Sequence, residues 1–113
     1  MFKGEVQKGL DIVRECRERY EGTVRNPFNE YECGHWYARA MSSYALLEGL
    51  TGVRYDAVDG TLYIDSKVGD FTSFLTVGTG FGNVGLKKGQ PFVNMVFGKI
   101  DIKKVMVSGV ESK

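Results

Sequence analysis

The sequence predicts an α+β protein in which the helices come first and the strands follow. Apolar residues recur at steps of three and four before Gly52, which is typical of amphipathic helices. After Gly52, apolar and polar residues alternate, which is typical of strands. The dipeptide Asp59-Gly60 separates two alternating runs and is a strong hairpin signal.

The first predicted helix spans roughly 4–20. An apolar stripe runs along one of its faces, while charged residues occupy the other. The stripe consists of Val6, Leu10, Val13, Cys16 and Tyr20. Glu21-Gly22 supplies the stop signal, since glycine readily adopts the left-handed conformation that ends helices.

The second predicted helix begins between Glu30 and His35, with a span near 33–50, and Thr51-Gly52 ends it. Asn29 is a candidate N-cap, with Glu32 at the third position as in a capping box. This helix is apolar around most of its circumference, so we expect neighbours to cover it on several sides.

Residues 53–113 are predicted to form antiparallel strands, as one sheet or a small sandwich. With the helical hairpin of residues 1–52, they make a single domain of 113 residues. The predicted strands are 53–57, 61–65, 71–77, 91–97 and 100–107, with a tight turn at Gly98-Lys99 before the last. The side chains expected inside are Val6, Leu10, Val13, Tyr44, Leu47, Leu62, Ile64, Phe74, Phe97, Ile102 and Val105.

Charge and composition exclude several classes of protein. Fifteen Lys and Arg against fourteen Asp and Glu give a net charge of +1, too small a field to recruit nucleic acid or an anionic membrane. No apolar run approaches the roughly 20 residues of a membrane helix. The first residues lack the apolar core of a signal peptide. Two cysteines, Cys16 and Cys33, fit a reducing compartment. We therefore expect a cytoplasmic protein without nucleic-acid or membrane partners.

Two short motifs suggest cofactors, and neither has the context that it requires. Gly80-Phe-Gly-Asn-Val-Gly85 matches a dinucleotide-binding pattern, but no helix is predicted after it to receive the pyrophosphate. We interpret it as a glycine-rich turn between strands. Cys33-Gly34-His35 offers two metal-ligand types, too few for a tetrahedral site. We expect neither a cofactor nor a metal.

Carboxylates, an arginine and aromatic residues cluster at the start of the second helix. Charged groups bind hydroxyls strongly and aromatic rings stack on the apolar faces of sugars, so the cluster suits a polyhydroxylated ligand. A capped helix with local ion pairs explains the same pattern. The cluster comprises Glu30, Glu32 and Arg39 together with Asn29, His35, Trp36 and Tyr37.

The sequence of the segment 26–47 is Asn26-Pro-Phe-Asn-Glu-Tyr-Glu-Cys-Gly-His-Trp-Tyr-Ala-Arg-Ala-Met-Ser-Ser-Tyr-Ala-Leu-Leu47. It closely resembles a segment near the C-terminus of glycoside hydrolase family 116. That family includes bile acid β-glucosidase, also called non-lysosomal glucosylceramidase, and bacterial relatives. Residues 12–20 resemble the helix before this pattern. Gly52, Tyr55-Asp56 and Gly80-Phe-Gly82 resemble C-terminal strands of bacterial members.

The resemblance implies a fold and a limited function. The family carries its chemistry in an (α/α)6 barrel and is a retaining glycosidase with a nucleophile and an acid/base carboxylate. Both lie upstream of this segment, so we expect the isolated chain not to be an enzyme. The family's glucose-binding pair falls on Glu30 and Arg39, with Asn29, Glu32, His35 and Trp36 as neighbours. In one continuous helix, Glu30 and Arg39 would lie on opposite faces. If both residues bind the same sugar, Glu30 must therefore lie before the start of the helix that carries Arg39.

Two functions follow as alternatives. The chain is a stand-alone or split C-terminal piece of such a hydrolase, binding glucose or a β-glucoside and docking on a separately encoded catalytic chain. Alternatively, it is a non-catalytic binding module that associates with itself. Either way, the apolar second helix lacks the neighbours that a closed barrel supplies, so we expect a homo-oligomer formed through it.

Overall fold

The computed structural model describes residues 1–18 and 44–112. These residues form an α+β fold of two helices and seven strands, as the sequence predicts for the fold class. Contacts divide the chain into two compact units, Met1–Leu46 and Leu47–Lys113. The elements are α1 (Val6–Glu18), α2 (Tyr44–Thr51), β1 (Arg54–Asp56), β2 (Thr61–Ile64), β3 (Phe71–Val77), β4 (Gly80–Lys87), β5 (Gln90–Gly98), β6 (Lys104–Val107) and β7 (Val110–Ser112).

Helix α1 confirms the body of the first predicted helix. It begins two residues later than predicted, after Gly4, whose positive φ of 85° departs from helical geometry. Val6, Leu10 and Val13 are half-buried, whereas Cys16 at the end of the stripe is exposed. Tyr20, the last member of the predicted stripe, lies outside the described residues.

Helix α2 confirms the predicted end of the second helix to within one residue. Its last residue is Thr51, whose hydroxyl donates to the Leu47 carbonyl at 2.6 Å. Gly52 then takes a φ of 61° and donates its N–H to the Glu48 carbonyl at 2.7 Å, which is a glycine C-cap. The predicted start at residue 33 and the loop of the helical hairpin lie outside the described residues.

The β2–β3 connection holds the end of α2. The N–H of Lys67 donates to the Leu50 carbonyl at 2.7 Å, and the N–H of Asp65 to the Thr51 carbonyl at 3.2 Å. A Cβ on Gly52 would lie 2.6 Å from the backbone nitrogen of Asp65. Only a glycine therefore lets the helix end this close to the chain that leaves β2.

Strands β1, β2, β6 and β7 form one sheet in that order. The predicted β1–β2 hairpin is confirmed: Tyr55 pairs with Leu62, and Gly60 has a φ of 66° in the turn. The prediction of purely antiparallel strands is wrong at one pair, because β2 and β6 run parallel. The long connection between them includes the whole second sheet, which gives the chain the crossover that parallel neighbours require.

Strands β3, β4 and β5 form a second, antiparallel sheet with β4 at its centre. Strand β3 has the predicted bounds, and β5 extends the prediction by one residue at each end. The interpretation of residues 80–85 as a turn is wrong, because they belong to β4. Two flanking strands provide the hydrogen bonds that outweigh the poor strand preference of glycine.

The end of the chain departs from the predicted strand over 100–107. The predicted tight turn at Gly98-Lys99 does not join neighbouring strands, since β5 and β6 belong to different sheets. Ile100 and Ile102 pack against the core without forming a strand, and β6 begins only at Lys104. The further strand β7 follows a two-residue turn at Ser108-Gly109, where both residues have positive φ.

The two sheets share one hydrophobic core. It is built from Leu62 and Ile64 of β2 with Leu75, Val84 and Leu86 of the second sheet. Burial is confirmed for Leu62 and Ile64, while Val6, Leu10, Val13, Ile102 and Val105 are half-buried. Four further expectations are wrong, because the structure exposes Tyr44, Leu47, Phe74 and Phe97.

Candidate functional site

The residues predicted to bind a sugar lie outside the described part of the chain. They are Glu30 and Arg39 with the neighbours Asn29, Glu32, His35 and Trp36. The prediction that Glu30 precedes the helix lies there too. Among residues 1–18 and 44–112, no group of three or more potential metal ligands comes together. Over the same residues, no helix is long and apolar enough to cross a membrane.

The outer surface of the β3–β4–β5 sheet carries the most distinctive set of side chains in the described structure. Facing residues of neighbouring strands point to the same side of a sheet, and alternate residues of a strand point to opposite sides. Leu75, Val84 and Leu86 define the side that faces the core. The opposite side forms three rows, which we call the aromatic–amide face. These rows are Thr72, Gly85 and Phe92; Phe74, Asn83 and Asn94; and Thr76, Phe81 and Phe97.

Phenylalanine rings occupy four positions of this face. The rings of Phe81 and Phe97 stack with centroids 5.8 Å apart and planes inclined by 24°. Phe81 is 49% exposed and Phe97 is 67% exposed, so much of this ring pair remains in contact with water. Val96 has no paired residue on β4, because Phe81 pairs with Phe97 and the next residue, Gly82, pairs with Met95. This bulge brings Phe97 opposite Phe81.

Phe92 lies over a glycine of the central strand. A Cβ on Gly85 would approach the Phe92 ring to 2.8 Å and would collide with the carbonyl oxygen of Phe71. The ring therefore occupies the space that a side chain at position 85 would fill. Phe92 is half-buried as a result, and it forms the floor at its end of the aromatic–amide face.

Asn83 and Asn94 face each other at the centre of the aromatic–amide face. Asn83 is half-buried and Asn94 is exposed. Within the described part of the chain, neither residue uses its side-chain amide in a hydrogen bond. Each amide has two N–H donors and a carbonyl acceptor available for water or a ligand.

A shallow depression lies at the Phe92 end of the aromatic–amide face. Its lining comprises Thr72, Phe92 and Asn94 of the face together with Asp70, Phe71, Leu86 and Lys87 at the same end of the sheet. The Asp70 carboxylate accepts hydrogen bonds from the backbone N–H groups of Lys88 and Gly89. Both of these residues have positive φ, so Asp70 braces the tight β4–β5 turn beside the depression.

The outer side of the β1–β2–β6–β7 sheet has a different chemistry. Lys104 and Glu111 form an ion pair at 3.2 Å. The Arg54 guanidinium lies 4.1 Å from the centroid of the Tyr63 ring and 3.9 Å from the Asp56 carboxylate. These charged groups already have partners within the protein.

A single titratable group in the described residues shows a resolved electrostatic shift. The hydrogen bond from Lys67, which joins Nζ to the carboxylate at 2.6 Å, lowers the pKa of Asp65 below its ordinary value. This pair lies at the connection that holds the end of α2, and not on the aromatic–amide face.

Sequence reasoning did not select the residues of this face. Phe74 and Phe97 were predicted to be core residues, and Asn83 was placed in a turn. Alternation groups Thr72, Phe74 and Thr76 on one side of β3, and Phe92 and Asn94 on one side of β5, but it does not indicate which side faces the core.

No family model matches the chain, and the search of curated proteins returned no match.

Proposed function

We propose that the chain is the C-terminal piece of a β-glucosidase- or glucosylceramidase-like glycoside hydrolase, and that it supplies a glucose-binding subsite without the catalytic carboxylates. The observation that carries the proposal is the residue pattern of 26–47, in which Glu30 and Arg39 occupy the glucose-binding positions of the resembled family. We further propose that residues 1–52 form a helical hairpin corresponding to the last helices of an (α/α)6 barrel.

The role of the β region in this proposal is to anchor the helix that carries the pattern. Leu50, Thr51 and Gly52 are held by backbone hydrogen bonds and close contact with Asp65 and Lys67. A sugar subsite on the segment 26–47 needs a fixed support to hold its geometry, since binding groups tolerate little displacement. The well-packed core behind β2 supplies such a support.

A retaining glycosidase needs two carboxylates held across the sugar from one another. In the resembled family both belong to segments upstream of the pattern, and a separately encoded chain would contribute them here. We therefore expect no hydrolysis of aryl β-glucosides by the purified chain. Hydrolysis by the purified chain that disappears in a Glu30→Gln variant would contradict the proposal that a separate chain contributes both catalytic carboxylates.

Glucose binding tests the subsite directly. The full chain is titrated with glucose and followed by its melting temperature and by calorimetry. We expect binding that Arg39→Met removes, because a bidentate guanidinium has no substitute in methionine. Arg14→Met is the matched control, since Arg14 lies on α1 and makes only an exposed pair with Asp11. Equal glucose binding by both variants, or none by the unmodified chain, would refute the subsite.

A second candidate function is a non-catalytic module that associates with itself through the second helix. The observation in its favour is the exposure of Leu47 on α2, at 40%, in a helix whose sequence is apolar around most of its circumference. Apolar side chains left in contact with water on a small protein mark interfaces. Light scattering at micromolar concentration tests it. We expect an oligomer that Leu47→Ser weakens and that Val58→Ser, at an exposed turn position, leaves intact. A 12.6 kDa monomer would exclude it.

A further inference from the structure

We propose that the aromatic–amide face of the β3–β4–β5 sheet binds a neutral oligosaccharide chain. The inference does not depend on the relationship to glycosidases, because it rests on strands 71–98 and not on the segment 26–47. It assigns a surface that is separate in sequence from Glu30 and Arg39.

The first argument is the combination of rings and amides on one side of the sheet. Sugar rings present apolar C–H faces and, at their edges, hydroxyl groups. Phe81 and Phe97 offer exposed aromatic surface for the C–H faces. Asn83 and Asn94 offer paired donors and acceptors for the hydroxyls.

The second argument is that the two amides have no hydrogen-bond partner within the described part of the chain. An occupant that covered Asn83 and Asn94 without hydrogen-bonding to them would leave buried polar groups unsatisfied, which is costly. A lipid surface fails on this ground. A hydroxylated chain satisfies both amides while its rings contact Phe81 and Phe97 in the next row.

The third argument is charge. The three rows of the face contain no ionisable side chain, whereas the outer side of the other sheet carries Lys104, Glu111 and Arg54. Lys87 and Asp70, which line the depression beside the rows, carry opposite charges. A nucleic acid would require cations to neutralise its phosphates, and none lies within the rows. Uncharged hydroxyls therefore match the face better than an anionic polymer does.

The shape of the surface suits a chain and not a single sugar. From Thr72 to Thr76 the face is about 13 Å long at roughly 3.3 Å per residue, which is longer than one pyranose ring. The depression at the Phe92 end provides a place for one ring, with Asn94 and Thr72 at its side. The Phe81–Phe97 pair lies two rows further along and provides a second contact.

The test is calorimetric titration of the full chain with two neutral hexasaccharides, one β-1,4-linked and one α-1,4-linked glucose chain. We expect at least one to bind. Phe97→Ser should weaken that binding about tenfold, and Asn94→Ala about three- to tenfold. Phe2→Ser is the matched control, because Phe2 has the same residue type and the same 67% exposure as Phe97. Its binding should equal that of the unmodified chain.

Three outcomes would overturn the inference. The first is no binding of either hexasaccharide at millimolar concentration. The second is binding that Arg39→Met abolishes and Phe97→Ser leaves unchanged, which would place the sugar at the segment 26–47. The third is a dimer that Phe97→Ser dissociates in a chain that binds no hexasaccharide, which would make the face a contact between two copies. Binding that survives in Arg39→Met and falls in Phe97→Ser supports the inference even if the glucose subsite fails its own test.

Discussion

The two sheets of this protein share a core and differ on the sides turned away from it. Behind Leu62 and Ile64, the outer side of the four-stranded sheet carries Lys104 paired with Glu111, as ordinary solvated strands do. Behind Val84 and Leu86, the outer side of the three-stranded sheet carries phenylalanines and unpaired amides without charge. Since both sheets gain the same core, the core does not account for this difference, and the proposed oligosaccharide binding offers an explanation.

The largest loss of stability is expected in the hydrophobic core that the two sheets share. Leu62→Ala removes a side chain with no solvent exposure from the shared core. We expect it to lower the free energy of unfolding by about 2–5 kcal/mol, measured by urea denaturation. Amide signals of both sheets should be lost in one transition. Val110→Ala, at an exposed position of β7, should change stability by less than about 0.5 kcal/mol. Separate transitions for the two sheets would show that the core is not shared.

The next largest loss of stability is expected in the central strand of the three-stranded sheet, β4. Gly85→Ala places a methyl group against the Phe92 ring and the Phe71 carbonyl. We expect a loss of about 1–3 kcal/mol from this crowding, measured by thermal or urea unfolding. The control is Gly78→Ala, where nothing lies within 4 Å of the new Cβ and φ is not positive. Equal stability of the two variants would mean that Phe92 does not pack over Gly85.

The smallest effect is a pH dependence at the connection leaving β2, where Asp65 has the one resolved pKa shift among the described residues. Because the Lys67 hydrogen bond lowers the pKa of Asp65, the carboxylate stabilises the fold above its ordinary pKa of about 3.9. That contribution is lost as the pH falls through the lower folded value. Asp65→Asn should therefore be less stable than the unmodified chain at pH 7, and the difference should shrink below about pH 4.

Urea unfolding at pH 7, 5 and 3 measures this difference. Lys67→Gln provides the matched background, in which Asp65→Asn should have little effect at any of these pH values. An effect of Asp65→Asn that keeps the same pH dependence in the Lys67→Gln background would assign the stabilisation to another partner of Asp65, such as Ser108.

The sequence predicted the parts of the fold that local signals determine. The Asp59-Gly60 hairpin, the stop at Gly52 and the alternation of 71–77 each specify a backbone shape through nearby residues alone. Strand β4 was missed because its glycines favour turns, and only the flanking strands and the Phe92 ring reverse that preference. The parallel β2–β6 pair was missed because it joins strands separated by a whole sheet.

The aromatic–amide face could not be predicted from alternation alone. In β3, Phe74 and Leu75 are both large and apolar, and a pattern of period two does not say which of them faces the core. The structure places Leu75 inside and leaves Phe74 49% exposed. For Glu30 and Arg39, the sequence resemblance is the whole basis of the assignment.

The most direct test of the difference between the sheets is a residue-resolved NMR titration of the full chain with the hexasaccharide that binds. We predict shifts of the side-chain amide signals of Asn83 and Asn94 and of the backbone signals of Phe81 and Phe97, while Lys104 and Glu111 on the other sheet stay unchanged. Shifts confined to the four-stranded sheet, or unchanged signals of Asn83 and Asn94 at saturation, would contradict the account.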